Sequence, residues 1–117
     1  MDFYKRVAIV CKHVPYGKVA TYGQIALLCQ KPGNSRQVGY ALSRKITDDV
    51  NAHRIVNSQG LLSGAGAFEP HFPQKRLLEE EGVKVNPEMK VDLKVHGWKS
   101  TLDDALLLEA IFKEENV

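Results

Sequence analysis

Cysteine is scarce in this chain of 117 residues, which holds only Cys11 and Cys29. Each lies inside a helical apolar pattern, and both are expected to be buried free thiols, because cytosolic chains seldom form disulfides. No metal-ligand spacing accompanies them, so neither a metal nor another cofactor is expected. Long apolar runs are missing too. No stretch approaches a membrane span, and Met1-Asp2-Phe3-Tyr4-Lys5-Arg6 lacks the apolar region of a signal peptide. These absences point to a cytoplasmic protein with no membrane partner. There are no repeats, low-complexity runs or long linkers. An ordinary apolar content of 44% suits one soluble globular domain over residues 1–117, with a core large enough to stand alone.

A strong net charge is also absent, but the small excess of +2 is unevenly spread. Residues 1–60 hold nine Lys/Arg (5, 6, 12, 18, 31, 36, 44, 45 and 54) against Asp2, Asp48 and Asp49, a balance of +6. Residues 61–117 hold seven basic and eleven acidic side chains, a balance of −4. A basic half on a small domain suggests a face for a polyanion. A solvated surface explains the same count equally well.

Phe3, Val7, Val10 and Cys11 recur at helical spacing, which predicts an amphipathic helix over residues 2–13. Pro15-Tyr16-Gly17-Lys18 is a turn. Thr21 with Gln24 forms the pattern of a capping box, opening a helix from Tyr22 to about Cys29 with Ile25, Leu27 and Leu28 available to the core. Pro32-Gly33-Asn34 stops it. Asn34 or Ser35 can cap a second helix, from about Arg36 to Lys45, with Val38, Ala41 and Leu42 inward. Two short helices joined by a tight Gly-containing turn make a helix-turn-helix pattern. Thr47-Asp48-Asp49 reads as a polar loop, and residues 61–72 are Gly/Ala-rich and irregular. Pro73 suits the first position of a helix holding Leu77 and Leu78, and Gly82 suits the position just past its end. Val83-Lys84-Val85 and Val91-Asp92-Leu93-Lys94-Val95 alternate around Asn86-Pro87-Glu88-Met89, the signature of a β-hairpin or wing. Asp103-Asp104 open a last helix through about Lys113, with Leu106, Leu107, Ala110 and Ile111 as inward positions. The expected fold class is α+β: a single winged-helix-like, helix-turn-helix domain with a small β element.

The stretch richest in chemistry is Asn51-Ala52-His53-Arg54-Ile55-Val56-Asn57-Ser58. It is a short strand signal with a His-Arg pair at its start and a turn, Asn57-Ser58-Gln59-Gly60, at its end. Imidazole can serve a neighbouring nucleophile as base, and guanidinium can act as a fixed charge or a clamp. The nucleophile's place is filled by Ala52, whose methyl group has neither lone pair nor proton to lose.

This stretch resembles the Pro-Cys-His-Arg-Val active-site motif of the O6-alkylguanine-DNA alkyltransferases, with Asn51 for the proline and Ala52 for the acceptor cysteine. It is more similar still to the alkyltransferase-like proteins, which share the fold and lack that cysteine. The resemblance runs from about Phe3 to Gly82, with a weaker echo to Trp98; the helix over residues 102–113 lies beyond it. What it implies can be placed residue by residue. Tyr22, in Thr21-Tyr22-Gly23-Gln24-Ile25, would help rotate a target nucleotide's phosphate, beside a helix start that suits phosphate; otherwise it is a core tyrosine. Arg36 would be the finger that fills the gap left by a flipped nucleotide, a role for a planar cation; otherwise it is a surface arginine. Gly39 would let this helix lie close to another backbone, while Tyr40, where the family has small residues, would alter how it seats on DNA. His53 becomes a structural histidine lining a pocket, and Arg54 a buried clamp on backbone carbonyls. Asn51 adds an N–H and loosens the backbone before the pocket wall. Glu81, in Leu77-Leu78-Glu79-Glu80-Glu81-Gly82, matches the glutamate that orients the histidine through water in the alkyltransferases. Residues 63–72 depart most, Gly64-Ala65-Gly66 echoing a binding loop and Phe68 and Phe72 having no assigned role.

The implied function is a non-enzymatic sensor of O6-alkylguanine in double-stranded DNA. It would bind as a monomer in the minor groove, bend the duplex, and flip the base into a pocket made by Ala52, His53, Arg54 and Glu81. Signalling would pass to nucleotide excision repair proteins. None of these steps needs a thiol, and a base blocked from normal pairing is cheaper to extrude. Two alternatives stay open. Cys11 or Cys29 could accept the alkyl group if activated as a thiolate, or the chain could be a winged-helix regulator that reads sequence.

Overall fold

Asp2 begins the ordered path, its carboxylate accepting the Lys5 N–H at 3.1 Å and so capping the first helix. The computed structural model of the chain describes residues 1–44, 51–62 and 73–117. The polar loop at Thr47-Asp48-Asp49, the end of the second motif helix at Lys45, and residues 63–72 with Gly64, Gly66, Phe68 and Phe72 lie outside these.

Helix α1 spans Phe3–His13 and buries Val7, Val10 and Cys11, the stripe that the spacing predicts. Strand β1, Ala20–Thr21, leads directly into α2, Tyr22–Leu28. Thr21 caps α2 by accepting the Gln24 N–H at 3.1 Å, but the expected box is only half closed. The Gln24 amide instead donates to Trp98 O at 2.8 Å and Ser100 Oγ at 3.1 Å, tying α2 to the C-terminal third. A complete box forms instead at Thr101 and Asp104, at the start of the last helix.

Helix α2 ends with Gln30 in the left-handed region (φ 69). Lys31 N–H reaches Ala26 O at 3.0 Å and Gln30 N–H reaches Leu27 O at 2.9 Å, so the exit is a Schellman turn built without glycine. Helix α3, Ser35–Ser43, follows after Asn34, whose side chain makes no cap. Val38, Ala41 and Leu42 point inward as expected. Leu27 does not: it is 60% exposed, and the small Ala26 takes the buried place beside Ile25.

A 3-10 turn, Ala52–Arg54, opens β2, Ile55–Val56. Strands β1 and β2 pair in parallel, Ala20 with Ile55 and Thr21 with Val56. A third row joins by a single parallel bridge between Val19 and Gly97, with Trp98 N–H on Val19 O at 2.7 Å. Because successive strand residues face opposite sides, this narrow sheet separates two cores. Ala20 and Ile55 face the helices α1–α3 with Leu108 and Phe112. Val19 and Val56 face Leu78, Val83, Val85 and Val91.

Helix α4, Gln74–Glu80, has Pro73 as its cap residue, one place earlier than expected. Its end matches the sequence signal closely. Gly82 (φ 84) donates to Glu79 O and Val83 to Leu78 O, both at 3.0 Å. That Schellman turn fixes the direction in which Glu81 leaves the helix.

The hairpin is present only in part. Val85 and Val91 form an antiparallel bridge around an Asn86–Lys90 turn, and Leu61 pairs with Lys90. Asp92 then accepts the Lys94 N–H at 2.9 Å and caps a one-turn helix α5, Leu93–His96, so Leu93-Lys94-Val95 is not a strand. Over three residues a period-2 pattern cannot override a good cap.

Helix α6, Leu102–Glu114, exposes the face expected inside: Leu106 and Leu107 are each 53% exposed and Ala110 is exposed. Leu108 and Phe112 fill the core instead, with Ile111 half-buried. The helix is apolar on several sides, so periodicity alone leaves its rotation open. Arg6 helps set it by lying 4.5 Å over the Phe112 ring while donating to the main-chain oxygen of Val117 at 2.9 and 3.1 Å.

Candidate nucleic-acid interface and adjoining pocket wall

The exposed face of α3 is built from residues four apart. Arg36, Tyr40 and Arg44 follow at that interval, and all three are exposed. Among the described residues Arg36 makes no hydrogen bond or ion pair. The Tyr40 ring, half-exposed, is flanked by the Arg44 guanidinium at 5.5 Å and the Tyr4 ring at 6.4 Å. Gly39 lies one step round the helix and faces Tyr22, where an added Cβ would meet the ring at 3.8 Å, an ordinary contact. Fold packing therefore does not require glycine at this position. The structure thus brings Tyr22 of α2 beside Gly39 of α3, with Arg36 on the same helix as Gly39, and it buries the Tyr22 hydroxyl. Sequence inspection passed over Arg44 although the four-residue spacing from Arg36 was available.

On the other side of the sheet end, one carboxylate organises the motif. Glu81 has only 7% of its side chain exposed, and every approach to it carries a donor. Arg54 binds it as a fork, Nε to Oε1 and Nη2 to Oε2, both at 2.9 Å. Gly17 N–H donates to Oε1 at 2.8 Å, and His53 Nε2 lies 2.6 Å from Oε2. Burial would raise the pKa of this carboxyl, but the Arg54 fork, the Gly17 amide and His53 overcome it and lower the value from 4.5 to about 2. A carboxylate so held is a strut rather than a base near neutral pH. Its contact with His53 is direct, where the resemblance implies an intervening water.

The remaining Arg54 nitrogen, Nη1, donates to Val14 O at 2.9 Å. Arg54 is thus a clamp as expected, but on one carbonyl and one carboxylate rather than on carbonyls alone. Its guanidinium also lies 5.6 Å from the centre of the Tyr16 ring, and Tyr16 donates to Glu80 O at 3.2 Å. Together these contacts fasten the Ala52–Arg54 turn to the α1–β1 connection and the end of α4.

Gln74, which sequence inspection missed, completes the frame. It is 3% exposed and its amide donates to His53 O at 3.1 Å and Ile55 O at 2.9 Å. A glutamine in the first turn of a helix carries no sequence mark of burial, so nothing in the chain singled it out. Ala52 is half-buried and packs against the helical core. The two thiols offer no substitute. Both are fully buried. Burial, reinforced by Cys29, pushes the Cys11 thiol far up, and burial, opposed by Arg6, pushes Cys29 to about 12. Among the described residues no group of His, Cys, Asp and Glu is arranged to hold a metal.

The chain is similar to known proteins along most of its length. Residues 2–83 match the family described as "6-O-methylguanine DNA methyltransferase, DNA binding domain". Alkyltransferase-like protein 1 of Schizosaccharomyces pombe is 38% identical, over 84% of this chain and 95% of that protein. The chain is an alkyltransferase-like member of this family. A DNA base-flipping protein of Vibrio parahaemolyticus is 36% identical, over 84% of this chain and 97% of that protein. The S. pombe protein Atl1, in complex with damaged DNA containing O6-carboxymethylguanine, superposes with a TM-score of 0.74 at 37% identity, covering 86% of this chain and 98% of that one. The O6-methylguanine methyltransferase of Mycobacterium tuberculosis gives a TM-score of 0.58 at 31% identity, and there the match covers 55% of the longer chain. The α+β architecture of this alkyltransferase-like chain is therefore that of the Atl1 fold.

Proposed function

We propose that this chain is a non-enzymatic sensor of O6-alkylguanine in double-stranded DNA. One observation carries the reading: Ala52, which has no nucleophilic atom, immediately precedes His53 and Arg54, and both of these are held on Glu81. The frame holds a pocket wall in place without chemistry to perform. Binding would use α2 and α3 as a helix-turn-helix in the minor groove, with the Asn86–Lys90 turn standing where a wing would be. Tyr22 would turn the phosphate of the target nucleotide, Arg36 would enter the stack behind it, and Gly39 would let α3 approach the backbone. The extruded base would rest against Ala52, with His53, Arg54 and Glu81 behind it.

The S. pombe relative crystallised with damaged DNA and the relatives named DNA base-flipping proteins support this assignment. Transfer of the alkyl group to Cys11 or Cys29 is disfavoured, because a buried thiol with a raised pKa supplies no thiolate. We further propose a cytoplasmic monomer that hands its bound lesion to nucleotide excision repair proteins.

The test is binding to matched duplexes with and without O6-methylguanine. Tighter binding to the lesion, with no mass gain on the protein after incubation, is the expected result. Equal affinity for both duplexes overturns the sensor. A transferred methyl group on either cysteine makes the chain an enzyme. Discrimination by orders of magnitude among lesion-free sequences would make it a regulator.

A further inference from the structure

The sheet runs out at a single edge. Because β1, β2 and the Gly97–Trp98 row are parallel neighbours, each leaves the sheet in the same direction. Thr21 passes into Tyr22, Val56 into Asn57 and Ser58, and Trp98 into Lys99. Adjacent rows are about 4.8 Å apart, so Lys99 emerges roughly one row from the start of α2. Lys99 Nζ donates to Lys94 O at 3.3 Å, which draws two lysine positions together. Beside them an open groove of about 420 Å³ is lined by Ser58, Gln59, Asn86, Lys90 and Lys94.

The charges here are unbalanced. Among the described residues Lys90, Lys94 and Lys99 form no ion pair. Asp92, the acid in the groove, has its carboxylate turned onto the Lys94 N–H at 2.9 Å, and Glu88 is exposed on the neighbouring turn. Three ammonium groups against two carboxylates leave a net positive ledge, reaching the start of α2 at Lys99, with the chemistry of a phosphate-backbone contact.

We propose that Lys90, Lys94 and Lys99 bind the phosphate backbone of the duplex beside the footprint of α2 and α3, adding sequence- and lesion-independent affinity. The proposal rests on the DNA-binding reading above. It assigns to the C-terminal half of the chain a part in binding that its acidic composition conceals. Lesion choice stays with the pocket, and the ledge raises the affinity of every duplex long enough to reach it.

The experiment measures binding of wild type and the Lys90→Ala/Lys94→Ala/Lys99→Ala variant to lesion-bearing and lesion-free duplexes across a range of salt. Loss of three phosphate contacts lowers the slope of log K against log salt by about 2 to 3. Affinity falls by the same factor for both duplexes, and a duplex shortened on one side abolishes the difference. The corresponding triple Lys→Arg variant keeps the slope, which separates charge from any loss of folding. An unchanged slope, or a loss confined to the lesion duplex, overturns the ledge. If wild type fails to prefer the lesion, the sensor falls while the salt slope still judges the ledge. If it prefers the lesion and the slope does not move, the ledge falls alone.

Discussion

The α3 face and the Glu81 cluster treat polar contact in opposite ways. On α3, Arg36 is exposed and makes no ion pair among the described residues, and Gly39 is a glycine that packing does not require. Around Glu81 the donors converge on one nearly buried carboxylate. Groups that meet their partners within the fold serve stability. Groups left without them are available to a ligand. On the proposed reading this divides the work between a rigid wall for the flipped base and an open surface for DNA.

The sharpest way to break the contrast is Glu81→Ala. It strands Arg54 without its carboxylate and should destabilise the fold by about 3–5 kcal/mol, read by chemical denaturation. Acid should produce the same loss reversibly. The Glu81 pKa falls from 4.5 to about 2 on folding, so its contribution is fully present above pH 4.5 and disappears as pH drops toward 2. A displacement of that size corresponds to roughly 3 kcal/mol. In Glu81→Gln this part of the pH dependence should be missing, and an unchanged acid limb would show that the carboxylate is not the strut described above.

Gln74→Ala should cost less, about 1–3 kcal/mol, because it leaves the carbonyls of His53 and Ile55 short of a buried donor. If His53 lines the pocket as proposed, this change should also weaken lesion binding. Smaller still in stability, and opposite in character, is Arg36→Ala. Its effect on unfolding should stay within about 0.5 kcal/mol, while DNA binding loses roughly 1–3 kcal/mol. The mildest change is Gly39→Ala. The added Cβ meets only ordinary contact with Tyr22, so helix propensity should leave stability unchanged or raise it by about 0.5–1 kcal/mol. DNA affinity should nonetheless fall. If Gly39→Ala bound DNA unchanged, α3 would not approach a backbone at that point.

The pattern of success along the chain follows from the range of the forces involved. The stripe on α1, the inward face of α3 and the Gly82 turn were legible because each depends on residues within one or two helical turns. The His53–Glu81 association was legible only through family resemblance, since 28 positions separate the two and no local rule joins them. The half-open box at Gln24 shows local capping losing to a distant partner, Trp98 O. The rotation of α6 was misjudged because its apolar residues surround it, and packing of Leu108 and Phe112 on α1–α3 chose the face. The charge count divided the chain at residue 60 and assigned the basic surface to the first part. The parallel bridge of Val19 with Gly97 also carries Lys99 toward the start of α2, where its ammonium reaches back to Lys94 O.

By itself the sequence determined the longer helices α1 to α4 and α6, their order, an alanine before the His53-Arg54 pair and a family relationship, all of which reside in residue identities and short spacings. Tertiary structure alone decided which donors converge on Glu81, which leucines of α6 meet water, and which lysines share an edge with Tyr22. Those outcomes rest on contacts between residues far apart in the chain. Only closure of the two cores around the narrow sheet sets their distances.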